Sequence, residues 1–300
     1  MLHFLPSPVT GAISMILYFV NTIFWCTFLF FMAFLKFVIP LKLWRKLCDV
    51  ILIYISTSWI FCNNLNQNLT QKTRWNVSGL EPLKMDEWYL VLSNHQSWVD
   101  ILVLQRIFHR KIPFIKFFLK KELIWVPLLG LAWWALDFPF MQRYSQHFLE
   151  KNPHLKGKDL ESTKIACEKF KTTPISVMNF PEGTRFTKRK HDKQESPYAN
   201  LLKPKAGGVG FVLGAMGDVL SKIVDVTIVY PKGVKTYWEF ACGQVEEVKV
   251  EINIIPISED MKGNYMDDEA FRNRFQEWIN DYWSKKDRQI DRMAGKQTTA

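Results

Sequence analysis

The stretch Ser93-Asn94-His95-Gln96-Ser97-Trp98-Val99-Asp100 sets a histidine five positions ahead of an aspartate, where one apolar run ends and another begins. A carboxylate on one imidazole nitrogen fixes the tautomer and stabilises the imidazolium, leaving the other nitrogen to take a proton. In an unbroken helix five residues subtend about 500° at 3.6 per turn, so the two side chains would not share a face. They meet only if the chain bends between them. A helix start supplies the bend: Ser97, followed three residues later by Asp100, reads as a capping-box-like entry to a helix carrying Ile101, Leu102, Val103 and Leu104. The plainer alternative is that Asp100 serves only the helix amides and His95 is an incidental loop residue. Ser97 is a poor nucleophile candidate, because no G-x-S-x-G elbow surrounds it.

A second stretch, Asn179-Phe180-Pro181-Glu182-Gly183-Thr184-Arg185, closes a candidate strand. Pro181 and Gly183 bend the chain, and a surface turn with Glu182 and Arg185 solvated is the plain reading. Two features weigh against it: α/β folds place ligands at strand exits, and the Arg185 guanidinium has a fork suited to phosphate. Lys188, Arg189, Lys190, Lys203 and Lys205 follow, a basic stretch that more often forms a solvated or membrane-facing surface than a set of ligand contacts.

These residues must be positioned by a folded body. The chain has 300 residues with 48% hydrophobic content, enough for one large core, and a formal net charge of +10 that favours phosphate-rich partners. No nucleic-acid-binding motif accompanies the bases. The five cysteines (Cys26, Cys48, Cys62, Cys167, Cys242) are scattered, without a C-x-x-C pair or metal-ligand spacing to histidine, so the expectation is buried thiols and no metal.

No charged residue occurs from Phe4 to Leu35, and the run from Gly11 to Leu35 is apolar over about 25 positions, enough to cross a hydrocarbon core of roughly 30 Å. Its length and uncharged front argue against a cleaved signal peptide. Lys36, Lys42, Arg45 and Lys46 follow, which by the positive-inside rule sets that end in the cytoplasm. A second apolar run over residues 50–61, about 12 long, reads as too short to span, which leaves an interfacial segment or half of a re-entrant pair. Residues 1–65 are therefore expected to be membrane-anchoring helices and residues 66–300 an α/β domain. Both arrangements of the anchor keep that domain at one membrane face.

After a polar passage over residues 63–79, strand-length runs are expected at 88–93, 135–140, 174–180, 225–230 and 245–254, with helices at 97–109, 116–123, 159–171 and 208–220 and a loop at 152–158. The alternation predicts an α/β fold with a mixed, mostly parallel sheet flanked by helices, behind an N-terminal hydrophobic membrane-embedded helical segment. Near the end, Phe271, Phe275, Trp278, Ile279 and Tyr282 share a helix face, with core packing the expected use. The tail from Asp287 onward is expected to be loose.

Together, Asn94-His95-Gln96-Ser97-Trp98-Val99-Asp100 and Phe180-Pro181-Glu182-Gly183-Thr184-Arg185 behind a membrane anchor resemble the glycerolipid acyltransferase family that includes bacterial 1-acylglycerol-3-phosphate acyltransferase. The likeness covers roughly residues 85 to 235 and is greatest to bacterial inner-membrane members of this size. It implies acyl transfer from an acyl thioester, on coenzyme A or an acyl-carrier protein, to a lysophospholipid hydroxyl, most specifically that of 1-acylglycerol-3-phosphate. His95 would be general base and Asp100 its orienting partner, with no metal or resident cofactor and no covalent enzyme intermediate. Glu182, Gly183, Thr184 and Arg185 take the acceptor-phosphate assignment by matching position. Arg143, just past a candidate strand, takes that of a further basic residue, a surface arginine being the equal alternative. Lys205 and Gly207 match a Lys-x-Gly element bordering the site, a loop entering a helix being equally good. In the family's fourth block a Val-Pro pair is frequent. Here Thr227 stands at the proline and Pro231 comes later, a departure that bears on the acyl and acceptor pocket. The expected partners are membrane lipids, the thioester donor and the lysophospholipid acceptor, without nucleic acid, at the cytoplasmic face of the inner membrane. A membrane-bound thioesterase and a non-catalytic binding protein with the same shell are the competing readings.

Overall fold

A computed structural model of the chain describes residues 4–81, 83–141, 166–265 and 267–295. Two long helices open it, α1 (Ser7–Val38) and α2 (Lys42–Thr70), each long and apolar enough to cross a membrane. They form an antiparallel hairpin. Asn21 Nδ2 donates to Asn63 Oδ1 at 2.8 Å, Trp59 Nε1 to Thr22 Oγ1 at 3.1 Å, and Lys36 pairs with Asp49 at 2.6 Å near the turn. The second element thus corrects the expectation of a short apolar segment. Its asparagines and glutamines continue the helix instead of ending it, because they bond to neighbouring elements: Asn66 Nδ2 to the Ser14 carbonyl at 3.0 Å, and Gln67 and Asn68 to Arg106.

The hairpin lies along the body of the protein. Gly11 packs directly on Cys242, Tyr18 meets Tyr237, Cys26 and Leu29 join Ala132, Ala135 and Leu136 in one apolar cluster, and Lys36 pairs with Asp137 at 2.9 Å. The opposite side of α1 exposes Ile16, Phe19, Ile23, Phe31 and Phe34. An apolar stripe of this size left outside a folded body is the signature of a membrane-associated protein.

The body is built on β1 (Arg74–Ser78), β2 (Trp88–Ser93), α3 (Val99–Phe108), β3 (Ile115–Phe117), β4 (Leu119–Lys120), α4 (Leu129–Ala135), β5 (Phe140–Met141), β6 (Ser176–Asn179), α5 (Lys188–Gln194), α6 (Ala206–Met216), β7 (Leu220–Val229), α7 (Tyr237–Ala241), β8 (Glu247–Pro256) and α8 (Glu269–Ala294). Six strands form one sheet in the order β1-β8-β7-β2-β6-β3, parallel at every pairing except β7 with β8. This is the expected mixed, mostly parallel sheet. The central strand β2 is apolar on both faces: Tyr89 and Val91 pack toward α3, Leu90 and Leu92 toward α6 and α8.

Several elements differ from expectation. Residues 116–123 form β3, β4 and a 3₁₀ turn (Lys121–Trp125) rather than a helix, their aromatic and branched residues adding an edge strand beside β6. The expected strand 135–140 is mostly the end of α4 and a turn, with Asp137 at φ 57°, and only the two-residue β5 remains. Edge strand β1 falls within the polar passage at residues 63–79. The expected loop at 152–158 lies outside the described residues, and so does most of the helix at 159–171, of which 166–170 are helical. The tail is ordered in α8: Asp287 accepts the amides of Ala199 and Asn200, each at 2.8 Å, and Ile290 is buried. Phe271, Phe275, Ile279 and Tyr282 pack in the core, as their shared face implied.

Candidate active site

β2 and β6 are adjacent and parallel, with Leu92 opposite Asn179, so the two sequence motifs leave the sheet side by side at one edge. This register brings together residues that the chain separates. Asn94 extends the pairing to β7: its side-chain amide donates to the Ile228 carbonyl at 2.8 Å, and its Oδ1 accepts the Ile228 amide at 2.9 Å. The turn that follows carries His95 away from the sheet.

Asp100 lies in the first turn of α3 and is fully buried. Its Oδ2 sits 2.9 Å from His95 Nδ1 and accepts the amides of Gln96 at 2.6 Å and Ser97 at 2.8 Å. Its Oδ1 accepts the Tyr230 hydroxyl at 2.6 Å. One carboxylate thus gathers the amides of the turn ahead of α3 and contacts the imidazole as well. Tyr230 was not anticipated, though Val226, Ile228 and Tyr230 alternate onto one face and place its ring beside α3. Burial and the adjacent Asp100 push the Tyr230 hydroxyl well above its ordinary range, so it remains a donor. Three donors besides the imidazole converge on Asp100, which compensates its burial. The Ser97 Oγ accepts the Val99 amide at 3.2 Å and donates to the Lys235 carbonyl at 2.8 Å.

The imidazole is also held by its faces. Phe180 stacks on His95 with ring centroids 4.0 Å apart and planes 14° from parallel. With Nδ1 on Asp100, Nε2 is the nitrogen left for chemistry, and His95 lines the large cavity next to it. That cavity has a volume of about 740 Å³, within the range of small-molecule sites. Gly183, Thr184 and Arg185 line it beside His95 and Trp98. The rest of its wall is mostly apolar and is supplied chiefly by α1, α2, α3, α4 and the segment 112–120 that holds β3 and β4.

Gly183 has φ 68°, a conformation suited to glycine, and its amide closes a turn onto the Phe180 carbonyl at 2.8 Å. The exposed Arg185 guanidinium lies 4.7 Å over the Trp98 ring. Lys190, from α5, ties the turn together through Thr184 Oγ1 at 2.7 Å and the Arg185 carbonyl at 2.9 Å. Glu182 is placed differently from its neighbours. Its side chain is fully buried and turned inward, with Oε1 accepting the His95 amide at 2.8 Å and Oε2 the Leu202 amide at 2.9 Å. Burial pushes its carboxyl up to about 8. Lys205 and Gly207 do not line the cavity; the Lys205 amide donates to the Pro181 carbonyl at 2.8 Å. Arg143 lies outside the described residues. Thr227 faces the other side of β7, where its hydroxyl accepts from Lys286 at 2.9 Å, so its substitution for proline does not reshape the cavity wall.

Comparison with known proteins bears on the family and the fold. The acyltransferase family model matches residues 74–231. Among curated relatives, the mouse 1-acyl-sn-glycerol-3-phosphate acyltransferase epsilon is 24% identical over 68% of this chain and 58% of its own length. The 2-acyl-1-lysophosphatidylinositol acyltransferase of Saccharomyces cerevisiae is 25% identical over 68% of this chain and 60% of its own. The chain thus spans less than two thirds of the length of these relatives. The crystal structure of the 1-acyl-sn-glycerophosphate acyltransferase from Thermotoga maritima superposes with a TM-score of 0.50 at 18% identity, covering 93% of this chain and 94% of that one, and shares the fold.

Proposed function

Because this chain belongs to the acyltransferase family, we propose that it moves a fatty acyl group from an acyl thioester to the hydroxyl of a lysophospholipid, most specifically 1-acylglycerol-3-phosphate. The observation that carries the reading is the shared cavity: His95, its Nδ1 held by Asp100, opens on the same space as Arg185. In the proposed step, His95 Nε2 takes the acceptor's hydroxyl proton as the oxygen attacks the thioester carbonyl. Collapse of the tetrahedral intermediate breaks the carbon–sulfur bond, and the imidazolium returns the proton to the departing thiolate. General base catalysis of this kind is worth about 10² to 10⁴ in rate.

Arg185 binds the acceptor's phosphate, with Gly183 allowing close backbone approach and Thr184 alongside. Glu182 acts through the backbone of His95 rather than on the ligand. The apolar part of the cavity holds acyl chain. The donor is an acyl group on coenzyme A or on an acyl-carrier protein, and the reading puts the site at the cytoplasmic face of the inner membrane, where both lipid and soluble thioester are within reach.

The test is direct. Purified protein in lipid nanodiscs, given labelled acyl-coenzyme A and 1-acylglycerol-3-phosphate, should form the diacyl product, and His95→Ala should not. Release of free fatty acid at a rate indifferent to the acceptor would replace transfer with thioester hydrolysis. Absence of both products with coenzyme A and carrier-protein donors would overturn the reading.

A further inference from the structure

The stretch from Leu123 to Leu136 has no charged, hydroxyl or amide side chain, although it belongs to the α/β body rather than to the hairpin. The 3₁₀ turn (Lys121–Trp125) leads through Pro127 into α4. Leu128 turns the chain at φ 62°, uncommon for a side chain of that size, and Gly130 lies so close to the Ile124 carbonyl that a side chain there would collide with it. The 3₁₀ turn and α4 are therefore packed as one unit.

That unit has two faces. Leu123, Leu129, Ala132, Trp133 and Leu136 line the cavity. Trp125, Leu128, Leu131 and Trp134 do not, and they leave 85%, 37%, 51% and 58% of their surface exposed. Residues 128, 131 and 134 follow at intervals of three, which sets them on one side of α4. A helix bordering water carries polar side chains on its outer side, and this one has none there. An exposed apolar face of this kind marks a contact surface.

What meets the face follows from its surroundings. Ala132, Ala135 and Leu136 share an apolar cluster with Cys26 and Leu29 of α1 and with Leu52 and Ile55 of α2. Over the same stretch α1 exposes Phe24, Phe28 and Phe31, so the apolar outer face of the unit adjoins that of the hairpin. Lys120 and Lys121, both exposed, stand at its start, as cations do at the phosphate level of a bilayer. Trp125, just beyond them, is the residue type that belts the membrane interface.

We propose that this unit is a second membrane-inserted element, its outer face lying among the acyl chains of the leaflet that holds the hairpin. The body is then fixed to the bilayer at a point of its own, and α4 is a partition with lipid on one side and the cavity on the other.

The experiment places the full chain in vesicles of phosphatidylcholine and phosphatidylglycerol, with the phosphatidylcholine brominated on its acyl chains. Tryptophan emission is quenched by bromine from the lipid side and by iodide from the water side. Trp125→Phe and Trp134→Phe, conservative changes at exposed positions, isolate these two signals from Trp25, Trp44 and Trp59 of the hairpin. Each variant should lose part of the bromine-quenched emission and none of the iodide-quenched emission. Loss from the iodide-quenched fraction instead would mean that the face meets water, and would overturn the proposal. Emission from Trp125 and Trp134 protected from both quenchers would overturn it as well, because a protein surface such as a second copy of the chain would then be the cover.

Discussion

Glu182 accepts the backbone amide of His95 at 2.8 Å, so the second motif is bonded to the main chain of the first. The same carboxyl takes the Leu202 amide, and the Leu202 carbonyl accepts Trp283 Nε1 at 3.0 Å, which links the turn at the sheet edge to the C-terminal helix. A residue three positions before the phosphate-suited arginine thus contributes by fixing where the imidazole sits.

Replacing that carboxyl should have a pH signature. In the folded protein Glu182 is pushed up to about 8 by burial, above its ordinary value of 4.5. Between these values the unfolded chain has already lost the proton that the folded chain keeps, so this group's contribution to stability falls as pH rises, and levels off above about 8. Glu182→Gln removes that slope and one of the two acceptors. Thermal melts from about pH 5 to about pH 8 should show the variant's deficit largest at the acid end and narrowing upward. A deficit that stays constant over this range would mean the carboxylate is ionised throughout. Activity should fall through kcat with the acceptor's KM little changed.

His95→Ala should remove transfer by about 10² to 10⁴ while the protein stays folded, since His95 sits in a turn. Asp100→Asn is a different kind of loss. Asp100 Oδ2 gathers two amides as well as His95 Nδ1, and Oδ1 takes the Tyr230 hydroxyl, so the substitution should lower both kcat and the melting temperature. Tyr230→Phe removes a single hydrogen bond to a charged group, with an expected stability loss of about 1.5–3 kcal/mol and a smaller fall in kcat than Asp100→Asn. Circular dichroism melts beside initial rates check all three. An active His95→Ala would end the general-base assignment.

Much of this site could be read before any coordinates, because β2 and β6 are largely buried strands whose mostly apolar runs each lead straight into a motif. That the two strands are neighbours is a matter of sheet order, which local patterning does not carry. The full length of α2 does not show in the apolar run at residues 50–61, because its polar half continues as helix only where Asn63, Asn66 and Gln67 find partners on other elements. Glu182 illustrates the same limit at the site itself: its place in the motif is visible in the sequence, its inward direction is not.

Arg185→Ala should chiefly raise the acceptor's KM, by about tenfold to a hundredfold, the value of a hydrogen bond between charged groups. The guanidinium is exposed and rests on Trp98, so its removal leaves no buried partner stranded. Initial rates with 1-acylglycerol-3-phosphate and with a phosphate-free monoacylglycerol separate the possibilities. An equal loss with both acceptors would count against phosphate binding at this position.

Lys286 reaches from α8 to the interior of the sheet, where it pairs with Asp225 and donates to the Val226 carbonyl and Thr227 Oγ1, each at 2.9 Å. Tyr282 donates to the same carboxylate. Lys286→Met would leave Asp225 buried without its cation, a loss of about 3–5 kcal/mol. Denaturant melts should show this, and Lys286→Met combined with Asp225→Leu should recover much of it. No recovery in the double variant would mean that the hydrogen bonds to Val226 and Thr227, rather than the charge pair, secure the helix.

The placement of the hairpin makes a final prediction about the bilayer. A helix of about 48 Å could cross, yet α1 meets the body at both ends, through Gly11 on Cys242 and Lys36 on Asp137. One folded body cannot stand on both sides of a membrane, so the hairpin should lie in a single leaflet with Phe19, Ile23 and Phe31 turned to lipid. Single cysteines placed at Ser7 and at Leu41, in a background with the native cysteines replaced, should both react with an impermeant maleimide added from the face that carries the α/β body. Labelling of the two positions from opposite faces would establish a crossing and require the contact between Lys36 and Asp137 to be absent in the membrane.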